Sequence, residues 1–300
     1  MDINNDSIKD AIVCGYWMPI SIFINDGKKL TLQNNNNLQE TNGWWNTINV
    51  ADFDKDGDMD LFIGGRVVAY HYGYSPKSYL LVNNGKGQFA DKTQALAPEL
   101  REAGMLTEAI WADFDKDGDQ DLTVVGDWMP IKMYENQRGK FTLIDNGLSE
   151  LTGFWSGLTA GDFDQDGDQD VFLVGGVEHG RYPLSFEPYL LENKEGQFTN
   201  VTAERINDLS NLPVINDALF SDYDHDGDLD LIVVGEWMSI VFYENIVNTF
   251  SKKDILGLTN NNGWFQTIKE ADINHDGLTD YLVGNWGNNN KFHPTKEKPL

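Results

Sequence analysis

DFDKDGDMD, residues 52–60, places an aspartate at every second position and a glycine at the sixth. The same nine-residue pattern, D-x-[DN]-x-D-G-x-x-D, returns as DFDKDGDQD (113–121), DFDQDGDQD (162–170), DYDHDGDLD (222–230) and DINHDGLTD (272–280). A looser copy, DINNDSIKD (2–10), opens the chain. Carboxylates packed this closely repel one another unless a cation lies among them. The recurrence of glycine at one fixed place argues against a merely acidic turn. The pattern therefore implies a bound cation and a fold made of copies.

The donor set points to calcium, a hard cation that takes six to eight oxygens. Alternate residues of a tight loop can point inward. Asp52, Asp54 and Asp56 would then supply side-chain oxygens, Asp58 its backbone carbonyl, and Asp60 the closing carboxylate. The corresponding sets are Asp113, Asp115, Asp117, Asp119 and Asp121; Asp162, Asp164, Asp166, Asp168 and Asp170; and Asp222, Asp224, Asp226, Asp228 and Asp230. The fifth set is Asp272, Asn274, Asp276, Leu278 and Asp280, and the opening one is Asp2, Asn4, Asp6, Ile8 and Asp10, with Ser7 in the glycine place. Four to six Ca2+ ions are expected, the opening loop being the one whose occupancy stays open. Magnesium is less suited, because it demands a small octahedron and keeps its waters. An EF-hand needs a bidentate Glu at position 12 and an exiting helix. Position 12 here is Ile63, Val124, Leu173, Val233 or Val283, and the following runs LFIGG, LTVVG, VFLVG, LIVVG and YLVGN read as strands.

Acidity is concentrated in these loops. The chain carries 48 Asp and Glu against 22 Lys and Arg, a formal charge of −26, and 12% of its residues are aromatic. That composition argues against disorder and against nucleic-acid binding, which wants a basic footprint. No apolar run is long enough to span a bilayer, so no membrane insertion is expected. No signal peptide is visible at Met1. Calcium loops of this kind suit millimolar calcium, so an extracellular or cell-surface location is expected, with the export signal outside this sequence. Cys14 stands where other copies have Val and reads as a structural strand residue rather than a reactive thiol.

The loops begin at 2, 52, 113, 162, 222 and 272, spaced by alternating shorter and longer steps. An Asn before a turn (Asn25, Asn83, Asn136, Asn193, Asn245) follows each loop's first Asp by 23 or 31 residues in alternation. An eight-residue insertion thus lies between the second and third strands of every other copy, and the full period is a pair of copies. Trp motifs share that period: GYWMP, GDWMP and GEWMS in the short class, with GWW at 43, GFW at 153 and GWF at 263. Each copy reads as four strands: one into the loop, one out of it, one ending at the Asn, one after the turn. The strand leaving the loop is apolar without alternation, which means cover on both faces. The expected fold is all-β, a β-propeller of four-stranded antiparallel blades with calcium loops between first and second strands. One propeller of about five to six blades spans residues 1–300. The chain opens on a loop and its last loop is followed by one strand, so it is expected to be a segment of a longer protein, with the tail GNNNKFHPTKEKPL leaving the blade pattern.

D-x-D-x-D-G-x-x-D followed by L-x-[VI]-x-G resembles the FG-GAP/VCBS repeat found in integrin α-subunit heads, several bacterial surface proteins and some lectins. The paired pattern, with SPKSYLLVNNGKGQFADKT, GDWMPI and GWW/GFW, looks more narrowly like bacterial VCBS-containing relatives of cartilage acidic protein (ASPIC/UnbV-type). The resemblance implies a calcium-stabilised, exported β-propeller and supplies no enzyme.

In an up-and-down blade the insertions Val67–Ser78 and Val177–Pro188 are second connections, opposite the calcium loops. Tyr70, His71, Tyr72, Tyr74, His179, Arg181 and Tyr182, with Trp44 and Trp155, are the candidate surface for a protein or glycan ligand on that face. Packing against neighbouring blades is the competing use of such rings. No nucleophile, HExxH or phosphate-loop motif is present, and His71, His179, His225, His275 and His293 lack metal-ligand spacing. The sequence reads as a non-catalytic calcium-binding module for protein interaction or adhesion. A carbohydrate-binding propeller appended to a larger exported protein is the alternative, and a calcium-assisted polysaccharide lyase is a third.

Overall fold

The computed structural model describes residues 1–33, 43–258 and 262–286. The tail whose departure from the repeat was expected, and His293 within it, lie outside the described residues. The fold is all-β, and the chain divides into two compact units, Met1–Gly153 and Phe154–Leu300.

In the first unit the opening repeat supplies β1 (Ala11–Val13), β2 (Tyr16–Met18), β3 (Ser21–Asn25) and β4 (Leu30–Leu32). The second supplies β5 (Gly43–Ala51), β6 (Asp60–Gly65), β7 (Tyr79–Asn83) and β8 (Phe89–Asp91), an antiparallel meander in chain order. The third repeats it with β9 (Met105–Ala112), β10 (Asp121–Pro130), β11 (Lys132–Gln137) and β12 (Lys140–Ile144). The meander β13 (Thr152–Gly161), β14 (Asp170–Gly175), β15 (Tyr189–Lys194) and β16 (Gln197–Asn200) belongs, from Phe154 onward, to the second unit. That unit continues with β17 (Ile215–Ser221), β18 (Asp230–Met238), β19 (Val241–Asn245) and β20 (Phe250–Lys253), then β21 (Gly263–Ala271) and β22 (Asp280–Asn285). The four strands per repeat expected from the sequence are therefore present in the second to fifth copies.

Successive residues of the strand leaving each loop point into different cores. Leu61 and Ile63 pack with Ile3, Ile22 and Trp45, whereas Phe62, between them, packs with Leu106, Leu122 and Tyr134. Leu231 and Val233 face Phe163 and Phe172, while Ile232 and Val234 face Phe265 and Ile268. Each such sheet is covered on both faces, which is why these strands are continuously apolar. Their terminal glycines are needed for close approach. A Cβ on Gly235 would sit 2.0 Å from the Val214 carbonyl oxygen.

The second strand is longer in the short repeats. In the opening repeat the continuation is a separate strand, β2, which pairs with β5 (Tyr16 with Trp44, Met18 with Gly43) while β1 pairs with β3, and the end of β18 pairs with β21 in the same way as β2 (Glu236 with Trp264, Met238 with Gly263). Two repeats are thus joined by one strand, the structural basis of the double period.

Candidate functional site

Each acidic loop is a ring of backbone N–H groups donating to its own aspartates. In the 52–60 loop, Asp56 N–H donates to Asp52 Oδ1 (3.1 Å), Gly57 N–H to Asp52 Oδ2 (3.0 Å) and Asp58 N–H to Asp56 Oδ1 (2.9 Å). Two residues adopt left-handed backbone: position 4 (Lys55, φ 58°) and position 6 (Gly57, φ 93°). Glycine at position 6 serves this φ rather than space, since a Cβ there would meet nothing within 4 Å. Ser7 takes the same place in the opening loop at φ 71°, and the ring survives: Ser7 N–H reaches Asp2 Oδ2 at 2.7 Å.

Position 9 is buried and closes the loop onto the sheet. Asp121 Oδ2 accepts the Phe114 N–H (3.1 Å) and its Oδ1 accepts the Asn136 N–H (2.8 Å). The same pair of bonds recurs at Asp170 with Phe163 and Asn193, and at Asp230 with Tyr223 and Asn245. The Asn before the turn, read from the sequence only as a landmark, is a cross-repeat tie. Asn136 Nδ2 donates to the Gln120 carbonyl of its own loop (3.0 Å) and to the Phe53 carbonyl of the preceding loop (2.8 Å). Asn83 does this to Met59 and Ile3, and Asn245 to Leu229 and Phe163.

Three carboxylates converge, with ligand atoms within 4.8 Å of one another, at Asp52, Asp54 and Asp60; at Asp113, Asp115 and Asp121; and at Asp222, Asp224 and Asp230. In the remaining all-Asp loop the trio is Asp162, Asp164 and Asp166. Among the described residues the 2–10 and 272–280 loops bring no such trio together. There Asn4 and Asn274 donate to Asp6 and Asp276, both at 3.0 Å. Position 5 aspartates turn one oxygen to the position 7 N–H, and the buried position 7 side chain of Asp119 is engaged by neighbouring groups: it pairs with Lys55 Nζ (2.6 Å) and accepts the Arg138 N–H (2.8 Å). Position 4 therefore reaches the next loop, as Asn5 does to Asp58 (2.7 Å) and Gln165 to the Gly227 carbonyl (2.9 Å). His225 and His275, at position 4, are exposed.

The residues fit a hard divalent cation. The donors are all oxygens, and the buried atoms Asp60 Oδ2 and Asp113 Oδ1, each on a trio member, have no hydrogen-bond partner in the chain. Burial, and then neighbouring carboxylates, push Asp60 and Asp121 up to about 7, Asp170 to about 8 and Asp230 to about 6, against backbone N–H donors that act the other way. In the chain alone the direction is upward, and a cation would have to reverse it.

At the other end of these strands lies an aromatic surface. In the first unit Trp44 contacts Tyr16 and Trp17 (ring centroids 4.8 and 5.8 Å), and Trp17 contacts Tyr70 (5.7 Å). Two adjoining clefts, of about 580 and about 530 Å³, share Trp44, Val67 and Val68. Tyr72 donates to Asp127 Oδ2 (3.0 Å) and accepts from Trp128 Nε1 (3.2 Å), while Arg66 forms a close ion pair with the same buried Asp127. Burial pushes the Tyr72 phenol up, so it stays a donor. Tyr182 repeats this in the second unit, donating to Glu236 Oε2 (2.9 Å) and accepting from Trp237 Nε1.

Of the candidate ligand residues, Tyr70, His71, Tyr72, Tyr74, His179, Arg181 and Tyr182 are exposed, with Tyr74 against His71 and Arg181 paired to Glu178. Trp44 is half-buried in the cluster. Trp155 is a correction: it is 2% exposed, edge-on to Tyr189. Counting from the loops, Trp155 corresponds to buried Trp45 and Phe265, and the counterparts of Trp44 are Phe154 and Trp264. Tyr16, Trp17, Trp128 and Trp237 were missed as surface residues, although the recurring GYWM, GDWM and GEWM motifs marked them. Cys14 lies between β1 and β2 rather than in a strand, half-buried against the Ile3, Ile22 and Trp45 core, and burial pushes its thiol up to about 11.

The chain belongs to the FG-GAP-like repeat family, whose model matches residues 2–63, 113–173 and 222–283. No curated protein matches it significantly. Among solved structures it is similar to an Agrocybe aegerita lectin that recognises non-reducing terminal N-acetylglucosamine, with a TM-score of 0.62 and 17% identity over 94% of this chain and 72% of the lectin. It also matches the V. cholerae biofilm matrix protein Bap1, with a TM-score of 0.44 and 16% identity over 82% of this chain and 36% of that one. The first likeness concerns the fold alone. No described helix is long and apolar enough to cross a membrane.

Proposed function

We propose that this chain is a non-catalytic carbohydrate-binding module, one β-propeller of about five to six four-stranded blades held by four to six calcium ions. It forms part of a longer exported protein, in keeping with the narrower likeness to VCBS-containing relatives of cartilage acidic protein. The Asp trios hold the ions by side-chain oxygens, and calcium, when bound, neutralises them and ties the first strand of a blade to the second. The ligand face lies at the far end of those strands.

The observation that carries the reading is the cluster of Tyr16, Trp17, Trp44 and Tyr70 beside the Arg66–Asp127–Tyr72 network. Indole and phenol rings offer flat apolar faces to the C–H side of a pyranose, and the neighbouring polar groups suit its hydroxyls. A cleft of about 580 Å³ is the size of a small-ligand site. A stable protein interface wants about 800 Å² from each partner, which favours a glycan over an adhesion partner. The lectin with the similar fold supports the same reading.

A glycan array in millimolar calcium tests it. Binding should occur, weaken at least tenfold in Trp44→Ala and Tyr70→Ala, and fall away in EGTA. An array blank for the folded, calcium-loaded chain refutes the carbohydrate reading, and turnover of an acidic polysaccharide refutes the non-catalytic one.

A further inference from the structure

Three tryptophans share an uncommon backbone. Trp17, Trp128 and Trp237 sit at φ 59°, 56° and 61°, and all are exposed. A bulky residue in the left-handed region is a strained outlier, and leaving an indole in water adds nothing to packing. In the second unit the distortion has a product. The register of β18 against β21 shifts between Glu236 and Met238, so Trp237 bulges out beside Trp264, with ring centroids 5.2 Å apart at 39°. Trp264 in turn meets Trp286 at 4.6 Å and 52°. Trp237 Nε1 donates to Tyr182 Oη, and Tyr182 donates to Glu236 Oε2, so the first ring is locked from its polar edge.

We propose that Trp237, Trp264 and Trp286 form a second, independent sugar platform, and that it takes neutral saccharides. The proposal rests on the carbohydrate reading given above for the first unit. Three tilted indoles in a row present a ladder for consecutive pyranose rings, with the exposed Tyr182 hydroxyl at the rim and the buried Glu236 carboxylate that holds it behind. The ion-pair chemistry differs from that of the first cleft. There Arg66 lies at the rim, whereas the charged group bonded into this platform is the Glu236 carboxylate. A buried carboxylate just behind the rings disfavours uronic and sialic acids. The insertions that deliver Tyr72 and Tyr182 differ in sequence, VVAYHYGYSPKS against VEHGRYPLSFEP. Each nonetheless brings a tyrosine hydroxyl onto an acid and an adjacent left-handed tryptophan.

Titration calorimetry on the full chain with calcium tests the second platform. The probes are cellotetraose, chitotetraose and mannotetraose, with tetragalacturonate as the acidic counterpart and decaproline as a peptide that also stacks on indoles. The expected result is two equivalents of a neutral tetrasaccharide for the parent chain, one for Trp44→Ala and one for Trp264→Ala. Trp264→Phe should return the second equivalent. A melt of Trp264→Ala matching the parent excludes misfolding, and if it does not match, Trp237→Phe replaces it and should weaken that equivalent at least tenfold. A single equivalent, lost in Trp44→Ala and untouched by the Trp264 and Trp237 variants, overturns this inference and leaves the first cleft standing. No neutral sugar bound by the parent overturns both. Tetragalacturonate or decaproline bound in a Trp264-dependent way, with neutral sugars ignored, overturns the neutral-sugar assignment.

Discussion

Replacing Asn136 by alanine tests the cross-repeat tie most directly. Its side chain is fully buried and makes three bonds to main chain: to the Phe53 and Gln120 carbonyls at 2.8 and 3.0 Å, and from the Gly139 N–H at 2.8 Å. Alanine leaves the Phe53 carbonyl and the Gly139 N–H without this partner in buried surroundings, and the Gln120 carbonyl in half-buried ones. At about 1–3 kcal/mol for each buried unsatisfied group, the loss is about 4 kcal/mol. In a unit of this size that corresponds to roughly a 10 °C drop in Tm. Asn136→Asp should cost more than alanine, because it sets carboxylate oxygens against two carbonyl oxygens while keeping the volume. That ordering separates hydrogen bonding from packing. Asn84→Ala is the control: Asn84 is exposed and serves only its own turn, through the Lys86 and Gln88 N–H groups, so the change should stay under about 1 kcal/mol. Calorimetric melts in saturating calcium provide the readout. Asn136→Ala within about 1 kcal/mol of the parent, or an aspartate variant milder than the alanine, would refute the reasoning.

Removing metal should invert the pH dependence of stability. Asp60, Asp121, Asp170 and Asp230 keep their protons to between about 6 and about 8 in the metal-free fold but release them near 4 when unfolded, so the fold binds more protons in that window. Metal-free stability therefore falls as pH rises from 4 towards 8, by up to about 1.4 kcal/mol per unit for each group, and a metal-free Tm flat or rising between pH 5 and 8 would contradict this. Calcium, by favouring the ionised trios, should make Tm fall on the acid side instead. Within one loop, Asp115→Ala should lower the calcium bound per chain by one ion, whereas Asp119→Ala should not, because its side chain faces Lys55 and the Arg138 N–H; equal losses in metal analysis would contradict the split.

The loops carry most of the fold in plain view. Aspartates at every second position with glycine sixth can be satisfied by few backbones, so the turn and the convergence of its carboxylates were both readable. Phe62 between Leu61 and Ile63 likewise announced a strand covered twice. The partners of Asn136 were not readable, because Phe53 lies 83 residues away and a carbonyl leaves no mark on sequence. Nor was the inward ring of each Trp motif. GWW, GFW and GWF carry an aromatic at both places, and pleating decides which one faces the core. Only registration against the loops pairs Trp44 with Trp264 and consigns Trp155 to the interior. Position 4 looked idle because its left-handed backbone, which aims Lys55 at Asp119, follows from ring closure and not from residue type.

The shared strands limit how such a chain can lengthen. Because β2 and the end of β18 pair with β5 and β21 of the following repeat, a cut after a short repeat strands an unpaired edge, while a cut after a long one does not. Duplication or loss in relatives should therefore proceed in doublets, and a truncation that keeps whole doublets is the one to express.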